Sequence, residues 1–179
     1  SGLLESVVTN EARTEFEIET RRATDSIQDR MAIYISALQG GKGLFTASQS
    51  VERDEWKAYV DALNVGDNYP GIQGIGYSVF VTPEEKDAHI QAVRSEGFSE
   101  YTIKPEGERS LYTAIIYLEP FDIRNQEAFG FDMYQEPTRR AGMEQARDTG
   151  DARLSGRITL VQEIDEDVQP GFLVYLPYY

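Results

Sequence analysis

The sequence predicts an α+β fold in which a long N-terminal helix precedes an antiparallel sheet. Three observations support this prediction. No glycine or proline interrupts residues 4–39, residues 71–81 have a strand pattern, and the chain closes with two long strand-like segments. Because the strands are grouped unevenly between helices and finish as a pair, we expect them to run antiparallel in one sheet.

A single apolar stripe predicts one continuous helix from about Ser6 to Gln39. Its members recur at the intervals of three, four and seven residues that define one helix face. A helix of this length spans about 50 Å, which is more than a small domain needs. It therefore either lies across its own domain or forms a stalk or dimer helix. The stripe consists of Val8, Ala12, Phe16, Ala23, Ile27, Met31, Tyr34 and Leu38.

The glycine-rich segment Gly40–Gly43 is expected to end this helix. A second helix should then run from about Val51 to Asn64, with Trp56 in the core and Gly66 as the left-handed residue that ends it. On this basis we divide the chain into residues 1–64, which hold the two helices, and residues 65–179, which hold the sheet domain.

The sheet domain is predicted to contain five strands and two helices. A capping box with proline at the first helical position marks a helix start at Thr82, and Gly150 marks a helix end. One face of the first strand lacks large side chains, because it carries Gly74, Gly76 and Ser78. This pattern indicates close approach of a helix or a ligand. The predicted strands are 71–81, 101–104, 111–118, 152–163 and 171–178, and the predicted helices are 82–97 and 137–149.

Composition excludes several classes of function. The 179 residues carry a formal charge of -14, so a nucleic-acid partner is not expected. There is no cysteine and one histidine, His89, which excludes thiol nucleophiles and thiolate metal sites, and we expect no metal and no cofactor. His89 is expected to be solvated. No apolar run is long enough to span a bilayer.

Acidic residues are too numerous to identify a catalytic pair. The chain has 31 of them, and a carboxylate-dependent hydrolase needs only two in one cleft. The acidic run Asp165–Asp167 lacks the alternation of a calcium loop and is expected to be a solvated hairpin loop.

Asp132 is the carboxylate for which a specific role is expected, because it lies between Phe131 and Met133. An acid among large apolar residues needs hydrogen bonds to its oxygens. One interpretation is an ion pair with Arg139 or Arg140 that fixes the loop to the next helix. The other, compatible with the first, is that one oxygen accepts a hydrogen bond from a ligand.

At this point the sequence resembles a known family. An ordered set of segments covering most of residues 44–178 is similar to the CHASE domain, the extracytoplasmic sensory module of histidine kinases and nucleotide cyclases. The set comprises Tyr69–Tyr77, Tyr117–Pro120, Gly130–Asp132, Arg140–Ala141, Ala146–Gly150, Ser155–Gly156, Leu160–Glu163 and Tyr175–Tyr178.

The resemblance implies a stalk helix followed by PAS-like sheets, of which the membrane-distal one holds the ligand. In the plant members an aspartate and the main chain of a leucine hold the adenine ring of cytokinins, and these positions correspond to Asp132 and Leu154. The ligand itself does not transfer with the fold. A second, membrane-proximal sheet and flanking transmembrane helices are expected beyond this sequence. Aromatic and aliphatic pocket residues on neighbouring strands would be Tyr77, Tyr117, Leu160, Leu173 and Tyr175.

The predicted function is that of a non-catalytic sensor on the periplasmic or extracellular face of the cell membrane. A small molecule would bind in the PAS-like pocket, and a homodimer of stalk helices would transmit the change. A constitutive dimerisation or interaction module without a small ligand is the alternative, and a carboxylate-dependent hydrolase is a more distant one.

Overall fold

A computed structural model describes residues 2–161 and 170–179, with side chains from residue 11 onward. Helices and short antiparallel strands follow one another, so the α+β prediction is confirmed. The helices are α1 (Gly2–Ala47), α2 (Arg53–Leu63), α3 (Val65–Asn68), α4 (Lys86–Ser95), α5 (Ile123–Ala128), a 3-10 helix (Met133–Gln135) and α6 (Pro137–Thr149). The strands are β1 (Ile75–Val81), β2 (Tyr112–Glu119), β3 (Arg153–Leu154), β4 (Ile158–Thr159), β5 (Pro170–Gly171) and β6 (Val174–Tyr175).

The continuous N-terminal helix is confirmed, but the expectation that Gly40–Gly43 ends it is wrong. Helix α1 passes through these glycines to Ala47. The reason is packing, because a Cβ atom at Gly41 would lie 2.9 Å from the ring of Trp56, and one at Gly40 would collide with the Tyr59 hydroxyl. The glycines let α2 approach the α1 backbone, and Tyr59 Oη donates a hydrogen bond to the Ala37 carbonyl.

The ends of the other helices differ from the prediction in detail. Helix α2 ends at Asn64, which itself adopts the left-handed conformation with a φ of 49°, whereas Gly66 lies inside α3. Thr82 does bond Glu85, its hydroxyl lying 3.0 Å from the carboxylate, but regular helix begins only at Lys86. The end of α6 at Gly150 is confirmed, with a φ of 73°.

His89 on α4 is half-buried, so the expectation of a solvated ring is wrong. A ring nitrogen lies 2.8 Å from the hydroxyl of Tyr101, and burial lowers the pKa of His89.

Strands β1 and β2 form the main antiparallel pair, in which Tyr77 is opposite Tyr117. The register shifts by one residue between Tyr77 and Ser78, as at a β-bulge. The remaining described strands pair as β3 with β6 and β4 with β5, so the described part of the chain holds three two-stranded sheets where one was expected.

The predicted strand 101–104 is not a regular strand, and the predicted strand 152–163 is reduced to the short strands β3 and β4. Residues 101–104 form a buried extended segment with a single bridge from Lys104 to Phe131. Strand β3 ends at Leu154. At Ser155 the backbone N–H still donates to the Leu173 carbonyl at 2.8 Å, but the Leu173 N–H donates to the Ser155 hydroxyl at 2.9 Å in place of a backbone carbonyl. The predicted loop Asp165–Asp167 lies outside the described residues.

Three buried clusters surround the β1–β2 pair. The first packs α4 and the segment around Ile103 against β2, and the third packs α5 and Met133 against the other part of β2. The second joins Ala37 of α1 and Trp56 of α2 to Ile75 of β1. The division into two domains at residue 64 stays a prediction, and this second cluster contains residues from both segments.

The glycine contact between α1 and α2 predicts opposite effects for two nearby substitutions. Gly41→Leu should lower the free energy of unfolding by about 2 kcal/mol, because the side chain would overpack Trp56. Gly43→Leu should raise it by about 0.5–1 kcal/mol, because a Cβ atom there meets nothing within 4 Å and leucine favours the helix. Urea unfolding of both variants measures the difference, and equal effects would contradict the packing role of Gly41.

Candidate ligand-binding site

A cavity of about 410 Å³ lies between β1, the C-terminal strands and helix α1. We call it the stalk cavity, because Tyr34 and Leu38 of the long helix form part of its wall. Its volume suits a small organic ligand. The residues lining it are Tyr34, Leu38, Gly71–Ser78, Ile115, Leu118, Met133, Leu160 and Pro170–Tyr175.

Gly74, which precedes β1, and Gly76 within it serve contacts within the protein. A Cβ atom at Gly74 would lie 2.8 Å from the amide nitrogen of Asn125, and one at Gly76 would lie 2.6 Å from the carbonyl oxygen of Tyr117. The buried Asn125 amide donates to the Gln73 carbonyl at 3.1 Å, which ties α5 to the start of β1. The bare face of the strand therefore admits α5 and β2.

Among the residues that the structure describes, none that lines the stalk cavity has a charged side chain. Its polar groups are hydroxyls and one amide. The Tyr175 hydroxyl donates to the thioether of Met133 at 3.8 Å, which is a weak acceptor. Burial raises the pKa of both Tyr77 and Tyr175, so both phenols are neutral near pH 7. The described part of the wall is thus mostly apolar, with neutral hydrogen-bonding groups in it.

Helix α1 is attached at the cavity by a long-range hydrogen bond. The Tyr34 hydroxyl donates to the Pro70 carbonyl at 2.6 Å, just before the residues that lead into β1. A molecule filling the cavity would contact the same helix and the same lead-in segment.

Asp132 lies outside this wall and is completely buried. One carboxylate oxygen accepts three hydrogen bonds, from the Thr113 N–H at 3.0 Å, the Thr113 hydroxyl at 2.7 Å and the Tyr134 N–H at 3.0 Å. The other accepts from Arg109 Nε at 2.9 Å. Both carboxylate oxygens are thus hydrogen-bonded within the protein, as a buried acid requires.

The ion pair of Asp132 is therefore with Arg109, and the expectation of Arg139 or Arg140 is wrong. Arg139 pairs with Glu136 and donates to the Thr159 carbonyl at 2.8 Å, while Arg140 donates to the Tyr134 carbonyl at 2.7 Å. A ligand contact by Asp132 stays a prediction, and it would require the packing around this fully buried side chain to open.

The other predicted site residues divide between the cavity and other positions. Tyr77, Leu160, Leu173 and Tyr175 line the stalk cavity. Tyr117 does not, because its hydroxyl donates to the Val51 carbonyl at 2.9 Å. The Leu154 side chain is 47% exposed, and its backbone pairs with Val174.

Sequence reasoning missed Tyr34, Leu38 and Arg109. The two helix residues carried a signal, because both belong to the apolar stripe of α1, but the stripe alone did not show which partner covers that end. No sequence signal indicated Arg109, since it lies in a polar turn 23 residues from Asp132.

Comparison with protein families gives a match to the CHASE domain over residues 49–179, well over half of the chain. The chain belongs to the CHASE domain family. CHASE domains are extracytoplasmic sensory domains of signalling receptors. A comparison with curated proteins found no match.

In the part of the chain that the structure describes, no helix is both long and apolar enough to cross a membrane, and no group of three acidic or histidine side chains is placed to hold a metal.

The buried Asp132–Arg109 pair predicts a loss of stability when either partner is replaced. Asp132→Asn and Arg109→Met should each lower the free energy of unfolding by about 3 kcal/mol, because each leaves a buried partner unpaired. Their combined effect should be smaller than the sum. Urea unfolding measures it, with Arg140→Met as the matched control, which should cost less than about 1 kcal/mol because Arg140 is exposed. A larger loss for Arg140→Met than for Arg109→Met would contradict the assignment.

Proposed function

We propose that this CHASE domain is the ligand-sensing part of a membrane receptor, either a histidine kinase or a nucleotide cyclase, and that its ligand binds in the stalk cavity. The observation that carries the proposal is that the cavity wall combines β1 and the C-terminal strands with Tyr34 and Leu38 of the long helix. A ligand there would contact both the sheet region and the element that leaves it.

Contact between a bound ligand and α1 would allow binding to change the position of the helix. A ligand can shift a conformational equilibrium only if it binds the two states with different affinity. Because Tyr34 is bonded to Pro70, the position of α1 fixes the width of the cavity on that side. A ligand that needs a different width would therefore favour a different position of the helix.

A second cavity, of about 380 Å³, must be distinguished from the first. It lies around Phe98, Phe121 and Phe129, and its wall includes the charged residues Glu100 and Lys104. No residue of α1 lines it. Binding there would not touch the helix directly, so the stalk cavity is the better candidate for a sensor.

Binding to the stalk cavity predicts a specific response to a bulky substitution. The neutral dye N-phenyl-1-naphthylamine, which fluoresces in apolar surroundings, should bind the wild-type protein. Leu173→Trp should weaken this binding at least tenfold, because the larger ring occupies the cavity. Fluorescence titration gives both dissociation constants.

Leu154→Trp is the matched control, because Leu154 lies one strand away and outside the cavity wall. It should bind the dye within about twofold of the wild type. Unchanged dye binding by a folded Leu173→Trp variant would show that the dye does not enter the stalk cavity and would count against the proposal.

We also propose that α1 pairs with the same helix of a second copy. Phe16 is 69% exposed and Ile27 is 62% exposed, and the 11 residues between them equal about three turns, which places both on one face. Exposed large apolar residues in register along a helix are typical of a helix–helix interface.

This pairing predicts a concentration-dependent dimer. Sedimentation equilibrium should show association of the wild-type chain in the micromolar range, and Phe16→Glu with Ile27→Glu should weaken it at least tenfold, because four charges would meet in the interface. Ile123→Glu is the control, since Ile123 is equally exposed but lies on α5. A wild-type chain that stays monomeric at about 100 μM would contradict the proposal.

A further inference from the structure

The second cavity, around Phe98, Phe121 and Phe129, has the features of a separate ligand site. Its volume of about 380 Å³ suits a small organic molecule. The segment after α4 and residues before, within and after α5 form its wall. This wall combines aromatic rings with an acidic and a basic side chain, so its parts indicate different groups of a ligand.

Three phenylalanine rings form an apolar surface in this wall. The ring centre of Phe129 lies 5.0 Å from that of Phe98 and 5.3 Å from that of Phe121, and both contacts are edge-to-face. All three residues are half-buried, so parts of their side chains remain accessible. Such a surface fits an apolar or aromatic group of a ligand.

A cation of the protein already lies over two of these rings. The guanidinium carbon of Arg53, the first residue of α2, is 4.6 Å from the ring centre of Phe98 and 5.3 Å from that of Phe129. Arg53 does not line the cavity. Because Arg53 already uses the attraction of these rings for a cation, the rings favour the apolar part of a ligand over its charged part.

Lys104 and Glu100 bring opposite charges to the same wall. Lys104 Nζ donates to the Glu127 carbonyl at 2.7 Å, which occupies one of its three N–H donors and holds the ammonium in place. Glu100 is exposed at the cavity. A ligand that carries only negative charge is disfavoured by the formal charge of -14 on the chain. The wall is therefore complementary to a ligand that carries both charges.

We propose that the second cavity binds a free amino acid with an apolar side chain. The apolar side chain lies on the three phenylalanine rings, Lys104 pairs with the carboxylate, and Glu100 pairs with the ammonium group. This site is separate from the stalk cavity and does not depend on it. It would give the domain a second ligand input.

Four probes test this ligand class by calorimetric titration of the 179-residue chain. L-Phenylalanine carries both charges and a ring, 3-phenylpropanoate lacks the ammonium, 2-phenylethylamine lacks the carboxylate, and L-alanine lacks the ring. L-Phenylalanine should bind with a dissociation constant below about 1 mM, and about threefold to tenfold more tightly than either singly charged probe. L-Alanine should bind at least about tenfold more weakly than L-phenylalanine, because it cannot cover the rings.

Two variants test the two charges separately. Lys104→Met should weaken the binding of L-phenylalanine about threefold to tenfold, but change that of 2-phenylethylamine by less than about twofold, because this probe has no carboxylate. Glu100→Gln should weaken the binding of L-phenylalanine and 2-phenylethylamine and should not weaken that of 3-phenylpropanoate. Circular dichroism checks that each variant is folded.

Lys86→Met and Glu108→Gln are the matched controls. Both residues lie outside the cavity wall, Lys86 is half-buried like Lys104, and Glu108 is exposed like Glu100. Each control should leave the affinity for L-phenylalanine within about twofold of the wild type. An equal loss of L-phenylalanine and 2-phenylethylamine binding in Lys104→Met would overturn the proposed pairing.

The Leu173→Trp variant distinguishes this site from the stalk cavity. Leu173 lines the stalk cavity and not the second cavity, so this variant should bind L-phenylalanine as the wild type does. Loss of L-phenylalanine binding in Leu173→Trp would overturn the assignment to the second cavity. A wild-type chain that binds the dye but not L-phenylalanine contradicts this proposal alone, whereas one that binds L-phenylalanine but not the dye contradicts the proposed function alone.

Discussion

The antiparallel pairing of β1 with β2 is the interaction on which the rest of the structure depends. Each of the three buried clusters takes residues from this pair, with Ile75 in one, Val81 and Tyr112 in another, and Ile115 in the third. The pair also provides Ile75–Ser78 to the wall of the stalk cavity. A slip of one residue would exchange the faces of a strand and disturb several clusters at once.

Asp132 organises its region through its hydrogen bonds. Its bonds to Thr113 and Arg109 connect the 3-10 helix to β2 and to the preceding turn. Met133, the next residue, lines the cavity. The acid therefore positions part of the cavity wall through its neighbour.

Sequence patterns predicted the features that depend on local chemistry. The apolar stripe of α1, the proline and glycine at the two ends of α6, and the strand pattern of β1 and β2 all follow from residues close together in the chain. Four of the proposed pocket residues, Tyr77, Leu160, Leu173 and Tyr175, do line one cavity.

Features that depend on distant partners could not be predicted in the same way. From the sequence alone, Gly41 is expected to end the helix. Its contact with Trp56 explains why it does not, because close packing can offset the cost of glycine in a helix, which is only about 1 kcal/mol. At the end of β3 the Ser155 hydroxyl accepts the Leu173 N–H, and Arg109 in a turn bonds Asp132. None of these partners follows from spacing along the chain.

The continuity of α1 through its glycines has a mechanical consequence. If the helix tilts where α2 contacts it at Gly41, that contact would be the pivot, and the segment from there back to Gly2 would be a lever arm of about 58 Å. On such an arm, each degree of tilt at the pivot moves the far end by about 1 Å. Tyr34 and Leu38 lie within two turns of the pivot, so an adjustment of a fraction of an ångström beside a bound molecule would be magnified severalfold at the distal end.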